Sequence, residues 1–378
     1  MTFTFRTPPS LVVGPGALGR IGTAAGVLLG PRVLVVTDRG VIEAGLVEPA
    51  VATLRAGGAE IELFTGVVAD PPEAVVLAAV DRARRFGPTA VLGIGGGSSL
   101  DVAKLVALLA RGGESLDDVY GVDRATGPRL PLVLVPTTAG TGSEVTPIAI
   151  VTTGTDEKKG VVSPVLLPDI ALLDPDLTLR LPPLVTAATG LDAMVHAIEA
   201  FTSASPNRNP LSANLAREAL RLLGRHIERA VVDGSDRAAR EAMLLGSMLA
   251  GQAFANSPVA AVHALAYPIG ARFHVAHGIS NSLVLPHVLR FNASACGAAY
   301  DELAGCIFAD RADTDSLADG LSRLAVRIGL PERLRDVGIP AEALDRLADD
   351  AMLQTRLLVN NPRALTRADA LAIYTAAW

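Results

Sequence analysis

The spacing of hydrophobic positions along the chain changes near residue 180. Before that point, short apolar runs rich in β-branched residues alternate with longer segments of helical period, an order typical of βαβ units. Strands are predicted at 11–13, 32–37, 61–64, 90–94, 132–135 and 170–173, and helices at 71–86 and 99–109. This pattern predicts an α/β domain with a mostly parallel sheet over residues 1–180.

Beyond residue 180, strand signals nearly disappear and long helical segments follow. Helices are predicted at 213–230, 236–255 and 313–328. We therefore expect an all-α C-terminal domain over residues 181–378, and 378 residues is a length that favours two domains. Residues 148–163 break the βαβ order and predict a hairpin whose turn is 154–157.

Composition narrows the possible partners. Half of the residues are hydrophobic, 19% are charged, and the net charge is −6. No basic patch interleaved with aromatic residues occurs, so we expect no nucleic-acid partner. The N-terminus carries no signal pattern, and no uninterrupted apolar window of about 18 residues predicts a membrane span. These features predict a cytoplasmic protein.

Two glycine-rich loops follow predicted strands. The first, 93–99, contains Gly95, Gly96, Gly97 and Ser98 and opens a helix, whose free N–H groups favour a bound phosphate. A tight turn is the alternative, but three consecutive glycines exceed what a turn needs. The loop lacks the usual G-x-G-x-x-G spacing. The second loop, 136–146, offers hydroxyls that could line a nucleotide, or that could simply belong to a polar connection.

Asp38 closes the predicted strand 32–37. A carboxylate at this place in a nucleotide-binding domain binds ribose hydroxyls and repels a 2′-phosphate. A turn-forming aspartate before Arg39 and Gly40 is an equally good interpretation when Asp38 is considered without the loops.

A helix is predicted over residues 190–201, and it places Asp192 and His196 one turn apart on one face. Such a pair can bind a divalent cation, although a solvated or satisfied buried pair is the commoner case. A second stretch, 262–278, is nearly uncharged and carries three of the six histidines, which strengthens the metal interpretation.

Taken together, the segments 95–98, 136–144, 190–199 and 263–278 resemble the iron-containing, group III alcohol dehydrogenases. The matching segments follow one another in the same order as in that family and are spread over nearly the whole chain. The resemblance implies a dinucleotide-binding N-terminal domain, a helical metal-binding domain, a homodimer, and metal ligands at Asp192, His196, His263 and His277. It implies contacts with NAD(P) at the following positions: Asp38, Gly95, Gly96, Gly97, Ser98, Thr137, Thr138, Thr141, Ser143 and Lys158.

The spacing of the second pair of ligands is compatible with this implication. His263 and His277 would lie roughly 21 Å apart along one continuous helix, too far to share an ion. Pro268 and Gly270 are expected to interrupt the run and let the chain turn back. One carboxylate and three imidazoles suit Fe²⁺, with Zn²⁺ as the alternative.

The sequence departs from part of the family at Tyr267, where many members carry a histidine that is a candidate for proton transfer. We expect His274, or water that it organises, to carry the proton, and Tyr267 to shape the pocket. A purely structural His274, hydrogen-bonded to the loop or the cofactor, is an equal alternative.

These features predict metal-assisted hydride transfer between a small alcohol or aldehyde and NAD, with NADP less favoured because of Asp38. Two alternatives remain. One is an NAD-recycling lyase similar to dehydroquinate synthase, which would need more basic residues for its polyanionic substrate. The other is a nucleotide- and metal-binding protein without catalysis.

Overall fold

The computed structural model describes residues 2–154, 157–308 and 316–378, which form two compact units. One unit is Arg6–Arg180, and the other is Leu181–Trp378 together with the N-terminal residues up to Phe5. The sequence pattern assigns these first residues to the α/β domain. They belong instead to the helical unit, where Thr4 and Asn207 exchange two hydrogen bonds of 2.9 Å.

The described residues of the α/β unit form nine strands: β1 (Ser10–Val13), β2 (Arg32–Asp38), β3 (Glu60–Val67), β4 (Ala90–Gly95), β5 (Gly121–Val122), β6 (Leu132–Pro136), β7 (Ile148–Thr153), β8 (Glu157–Val162) and β9 (Ile170–Leu173). Its helices are α1 (Ile21–Leu29), α2 (Arg39–Glu43), α3 (Glu48–Ala56), α4 (Glu73–Phe86), α5 (Gly97–Arg111) and α6 (Leu116–Val119).

Six of these strands form one sheet in the order β1-β9-β6-β4-β2-β3, and every pairing in it is parallel. The predicted parallel α/β architecture is therefore confirmed. Strands β2 and β4 are neighbours, and β3 lies on the other side of β2. After β2, the chain adds β3 on one side and then β4 on the other. The topological switch point of the sheet therefore lies between β2 and β4, and open α/β sheets bind ligands at such a point.

Strand β2 shows why the sheet forms here. Val33 and Val35 enter the apolar cluster on one face, which includes residues of α1 and α3. Leu34 and Val36 enter the cluster on the other face, which includes residues of α4 and α5. Because side chains alternate along a strand, a continuous apolar run is the sequence of a strand that is buried on both faces.

The predicted hairpin is present in a second, three-stranded sheet with the order β5-β8-β7. Strands β7 and β8 are antiparallel, with Ile148 opposite Val162 and Thr153 opposite Glu157. Of the predicted turn, Thr155 and Asp156 lie outside the described residues.

The helical unit contains α7 (Pro183–Thr202), α8 (Pro210–Val232), α9 (Arg237–Asn256), α10 (Ala261–Phe273), α11 (His277–Phe308), α12 (Leu317–Arg327), α13 (Leu344–Met352), α14 (Thr355–Leu358) and α15 (Arg367–Ala377). The helices predicted at 213–230 and 236–255 correspond to α8 and α9. The helix predicted at 313–328 corresponds to α12, and residues 313–315 lie outside the described part of the chain.

Helix α7 is the centre of this unit. Within the described residues it is the one helix long and apolar enough to cross a membrane by length and composition, but 83% of that apolar window is buried inside the protein. Core helices pass the same test. Its polar residues Asp192, His196 and Glu199 are buried as well, and a buried charged group requires a partner.

Candidate functional site

Four side chains of the helical unit converge on one point. Asp192 and His196 come from α7, His263 from α10, and His277 is the first residue of α11. One potential ligand atom from each lies within 4.8 Å of all the others. The structure thus brings together the four residues implied as metal ligands.

The local structure of α7 sets the first half of this cluster. Asp192 is 2% exposed and His196 is 5% exposed, on the same face of the helix. Burial on its own would raise the pKa of the Asp192 carboxyl, but the three neighbouring imidazoles and a hydrogen bond lower it below the usual value. The carboxylate therefore remains a charged, metal-competent oxygen donor inside the helical core.

The chain between His263 and His277 turns in a different place from the one predicted. Helix α10 continues through Pro268 and Gly270 and ends at Phe273, so these two residues do not interrupt it. Proline removes one N–H and crowds the preceding turn. In that turn the Tyr374 hydroxyl donates to the Leu265 carbonyl at 2.6 Å, which ties α15 to α10.

The reversal occurs at residues 274–276. His274 ends α10 in a left-handed conformation (φ 53°), which few non-glycine residues adopt. Helix α11 then begins at His277, close to α7. A Cβ added to Gly278 would lie 2.2 Å from the Ala188 carbonyl oxygen, so only glycine permits this approach. The position of the His277 imidazole depends on that contact.

A second candidate site lies in the α/β unit, at the carboxyl ends of β2, β3 and β4. A cavity of about 690 Å³ is lined there by Asp38, by 65–69 and by 96–99. Gly96 caps α5, so the first N–H groups of this 15-residue helix border the cavity. Gly95 has φ +155°, and a Cβ there would lie 2.6 Å from that of Ser99, so a side chain is excluded.

Asp38 faces this cavity, and both of its oxygens have protein partners. Oδ1 accepts a hydrogen bond from Val41 N at 3.0 Å and caps α2, and Oδ2 accepts one from the Ser99 hydroxyl at 3.1 Å. The turn-forming and ribose-binding interpretations are therefore compatible, because each carboxylate oxygen retains a further lone pair.

The residues of the second glycine-rich loop occupy different environments. Thr137 is buried, and its N–H donates to the Gly95 carbonyl at 2.9 Å. Thr138 and Thr141 flank the first glycine loop: a Cβ at Gly96 would lie 3.7 Å from Thr138, and one at Gly97 would lie 2.8 Å from the Thr141 methyl group.

Ser143 and Lys158 are engaged with other side chains. The Ser143 hydroxyl donates to Asp101 Oδ1 at 2.6 Å and accepts from Lys104 Nζ at 2.8 Å. Lys158 Nζ lies 2.6 Å from Asp70 Oδ1, and its side chain is 6% exposed. The structure thus connects Ser143 to a buried polar network and Lys158 to an ion pair.

Comparisons with known protein families identify the family of this chain. The profile of the iron-containing alcohol dehydrogenases matches residues 8–175, and the profile of the Fe-containing alcohol dehydrogenase family, C-terminal, matches residues 186–378. The chain belongs to the iron-containing alcohol dehydrogenase family. It is therefore an oxidoreductase of the alcohol dehydrogenase type.

Individual relatives within this family cover nearly the whole chain. Long-chain-alcohol dehydrogenase 1 of Geobacillus thermodenitrificans (strain NG80-2) is 41% identical over 98% of this chain and 95% of its own length. The sulfoacetaldehyde reductase of Bilophila wadsworthia (strain 3_1_6) is 36% identical over 100% and 99%.

Solved structures with the same fold as this chain are also known. A crystal structure of 1,3-propanediol oxidoreductase superposes with a TM-score of 0.95 at 34% identity, covering 100% of both chains. The sulfoacetaldehyde reductase of Bifidobacterium kashiwanohense, solved in complex with NAD⁺, gives 0.89 at 30% identity, covering 100% of this chain and 99% of that one.

Glu199 was not predicted from the sequence. It contacts the group formed by Asp192, His196, His263 and His277, which is called the metal cluster below. Its Oε2 lies 2.6 Å from His263 Nδ1, and its Oε1 accepts from Val262 N at 2.7 Å. The Glu199 carboxylate therefore favours a proton on His263 Nδ1, and the Nε2 lone pair of that ring can then bind a cation. Glu199 follows His196 by three residues on α7, and that spacing was the available signal.

The Asp101–Lys104 pair, which anchors the second loop, was likewise not predicted from the sequence. Lys104 is fully buried, and burial lowers its pKa, an effect that Asp101 partly offsets. Besides Ser143, its ammonium group contacts Thr146 Oγ1 at 3.3 Å and the Ile148 carbonyl at 2.6 Å. The loop is thus held to α5 by one buried cation.

Aromatic rings cover the metal cluster. Phe254 stacks on the His196 imidazole with ring centres 4.4 Å apart. The Tyr267 ring lies 5.8 Å from that of His277 and 6.4 Å from that of His263. His274, in contrast, is solvent-exposed at the end of α10. Of the two candidates for proton transfer, Tyr267 is the one with ring contacts to the cluster.

Proposed function

We propose that the chain catalyses reversible hydride transfer between a small alcohol and NAD, with a divalent cation held by Asp192, His196, His263 and His277. The observation that carries this proposal is the convergence of four donor atoms within 4.8 Å of one another in a largely buried position. One carboxylate and three imidazoles are rarely buried together unless they bind a common partner, because desolvation of a charge is costly.

The donor set fits the cation that the family description implies. Three imidazole nitrogens and one carboxylate oxygen suit Fe²⁺ and also Zn²⁺, whereas Mg²⁺ and Ca²⁺ prefer oxygen donors. When bound, such a cation acts as a Lewis acid on the substrate oxygen and lowers the pKa of the alcohol. Asp192 offsets part of the cation's charge, and Glu199 orients the His263 ring.

The α/β unit supplies the candidate nucleotide site. The cavity at the strand ends, the N–H groups of α5 and the exclusion of a side chain at Gly95 support a dinucleotide pyrophosphate there. The Asp38 carboxylate, facing the same cavity, supports NAD over NADP because it would repel a 2′-phosphate. NAD carries the hydride in this chemistry.

For the substrate, we propose a small alcohol and the corresponding aldehyde. The support comes from relatives named 1,3-propanediol dehydrogenase and sulfoacetaldehyde reductase, while a relative named long-chain-alcohol dehydrogenase adds larger alcohols to the range to be tested. These names span apolar, hydroxylated and anionic substrates. The substrate screen must therefore include all three kinds.

The proton released on alcohol oxidation needs an acceptor. His274 stays our prediction for this role, because an imidazole titrates nearer to neutral pH than a phenol does. Tyr267 lies closer to the cluster, which supports its expected role in shaping the pocket. pH–rate profiles of His274→Phe and Tyr267→Phe, with metal content matched, distinguish the two. If only Tyr267→Phe loses rate, the roles are reversed.

The experiment that tests the proposed function is a substrate screen on protein reconstituted anaerobically with Fe²⁺ or Zn²⁺. NADH formation is followed at 340 nm with alcohols, and NADH consumption with aldehydes. We expect turnover that needs both the cation and NAD, with weaker activity on NADP. Metal-loaded protein that turns over none of the three substrate kinds with either cofactor would contradict the proposal.

A further inference from the structure

Asn281 lies inside the helical unit against the metal cluster, and no role has yet been assigned to it. It follows His277 by one turn of α11, which places both side chains on the same face of the helix. Its side chain is completely buried, at 0% exposure. A buried amide has both a donor and an acceptor end to satisfy, so its surroundings identify what it does.

The donor end of Asn281 faces three of the four cluster residues. Its Nδ2 lies 2.6 Å from Asp192 Oδ1, 3.2 Å from His277 Nε2 and 3.5 Å from His263 Nε2. The carboxylate oxygen has several lone pairs, so it can accept this hydrogen bond and still face a cation, whereas each imidazole Nε2 has one lone pair only. The contact with Asp192 is the shortest, as expected for a hydrogen bond to a charged oxygen.

The acceptor end of Asn281 has no hydrogen-bond partner among the described residues. A leucine of similar shape would avoid the cost of burying that oxygen. The amide is therefore poorly explained as a stabiliser of the helix packing. Its hydrogen bond to Asp192 accounts for its presence better.

We propose that Asn281 is a positioning residue that holds the Asp192 carboxylate in the orientation that binds the cation. This proposal rests on the proposed metal site. A neutral amide suits the role because it orients the carboxylate without neutralising it, and it adds no positive charge that would compete with the cation. Hydrogen-bonding partners of metal ligands typically contribute about 10–100-fold to metal affinity.

The test compares two substitutions of Asn281 with a matched control on the same helix. Asn281→Ala removes the amide, and Asn281→Leu removes it while keeping most of the volume. The control is Asn292→Ala. Asn292 is also buried on α11, but it pairs with the amide of Asn361 in two hydrogen bonds of 2.9 Å.

The measurements are made on the full chain. Metal affinity is obtained by competition of Zn²⁺ with a chromophoric chelator, and ligand geometry from the visible absorption of Co²⁺-loaded protein. Thermal unfolding of the metal-free protein reports the fold. We expect both Asn281 variants to bind Zn²⁺ about 10–100-fold more weakly and to give a shifted Co²⁺ spectrum. The Asn292 variant should keep both metal readouts and lower only the unfolding temperature.

Three outcomes would overturn the proposal. Unchanged affinity and spectrum in both folded Asn281 variants would remove the role. An equal loss of affinity in the Asn292 variant would make the effect one of general stability. A drop in Co²⁺ coordination number on removal of the amide would make Asn281 a direct ligand. If the unmutated protein itself binds no cation, the proposed function fails instead.

Discussion

The metal cluster of the helical unit is built from side chains, whereas the cavity of the α/β unit is bordered largely by backbone and glycine. Asp192 and the three histidines each present one donor atom from a helix. Around Gly95 the important feature is the lack of a side chain, together with the N–H groups that begin α5. Substitutions should therefore act differently in the two regions: at the cluster, removal of a group is damaging, and at the cavity, addition of one is.

The two regions also treat a buried carboxyl group differently. In the helical unit, neighbouring imidazoles lower the pKa of Asp192 despite burial. In the α/β unit, burial raises the pKa of Glu144 to about 7, and Lys104 only partly opposes this. A buried carboxylate surrounded by imidazoles can serve as a ligand at neutral pH. With its pKa raised to about 7, the buried Glu144 carboxyl is protonated below neutral pH and is not held as a charged oxygen donor there.

The largest expected effect is at the cluster. His263→Ala removes one donor and leaves Glu199 buried without its imidazole partner. Loss of a ligand should abolish stable metal binding and lower kcat/KM by on the order of 10³-fold or more, as expected when an electrophilic catalyst is lost. Metal content after dialysis and the rate at 340 nm check this.

His226→Ala is the matched control for that experiment. Its ring contacts the Leu222 carbonyl within α8 and does not belong to the cluster. It should retain the metal and the rate. Full metal content in the His263 variant would show that the cluster is not the binding site.

At the cavity, Gly95→Ala adds the group that the structure excludes. The new Cβ would lie 2.6 Å from Ser99 Cβ and 3.3 Å from Asp38 Oδ2, at a backbone conformation unfavourable for alanine. Displacement of the loop should weaken NAD binding about tenfold or more, because a shift of roughly 1 Å disrupts a preorganised site. Metal content should not change.

Nucleotide fluorescence titration measures this effect, and Gly113→Ala is its control. Gly113 lies just beyond the other end of α5, where an added Cβ meets no atom within 4 Å. The control should bind NAD normally. Normal NAD binding by Gly95→Ala would place the nucleotide elsewhere.

A smaller effect is expected from Asp38→Asn. The amide oxygen can still accept from Val41 N and preserve the cap of α2, and the amide N–H can donate to the Ser99 hydroxyl, so the change removes the charge and reverses one hydrogen bond. We expect the preference for NAD over NADP, expressed as a ratio of kcat/KM, to fall about tenfold, since like charges in contact are strongly unfavourable. If the unmutated enzyme prefers NADP, this interpretation of Asp38 is wrong.

The smallest expected effect is on stability, at Glu144. Its pKa in the folded protein, about 7, exceeds the ordinary 4.5, so the folded state binds the proton more tightly. This contribution to stability is fully present below pH 4.5 and is lost as pH rises toward 7. Between pH 5 and 8 the α/β unit should lose about 2 kcal/mol through this group.

Glu144→Gln should abolish that dependence, and exposed Glu48→Gln should not. Urea unfolding at pH 5 and pH 8 compares the free energies of unfolding of the three proteins. An unaltered pH dependence in Glu144→Gln would mean that this carboxyl is ionised in the folded state.

Sequence alone predicted the elements whose signals are local. The apolar run of β2 and the i, i+4 pair of Asp192 and His196 each lie within a few residues, and the structure contains both. Their supports were missed because they depend on distant contacts. Glu199 meets His263 across 64 positions, and Asn281 meets Asp192 across 89.

One local prediction was wrong. Pro268 was expected to interrupt its helix, but α10 continues through it and ends at Phe273. The resemblance implies that Ser143 contacts a nucleotide, and the structure adds a hydrogen bond from Lys104, which lies 39 positions earlier. That partner is not visible in the local pattern of the sequence.

The most direct test of the account separates the two sites in one protein. Removal of the cation with a chelator should abolish alcohol-dependent NADH formation and leave the affinity for NAD unchanged, because the proposed nucleotide site uses no cluster residue. Addition of one equivalent of Fe²⁺ or Zn²⁺ per chain should restore turnover. Full turnover by the metal-free protein, or loss of NAD binding together with the cation, would contradict the account.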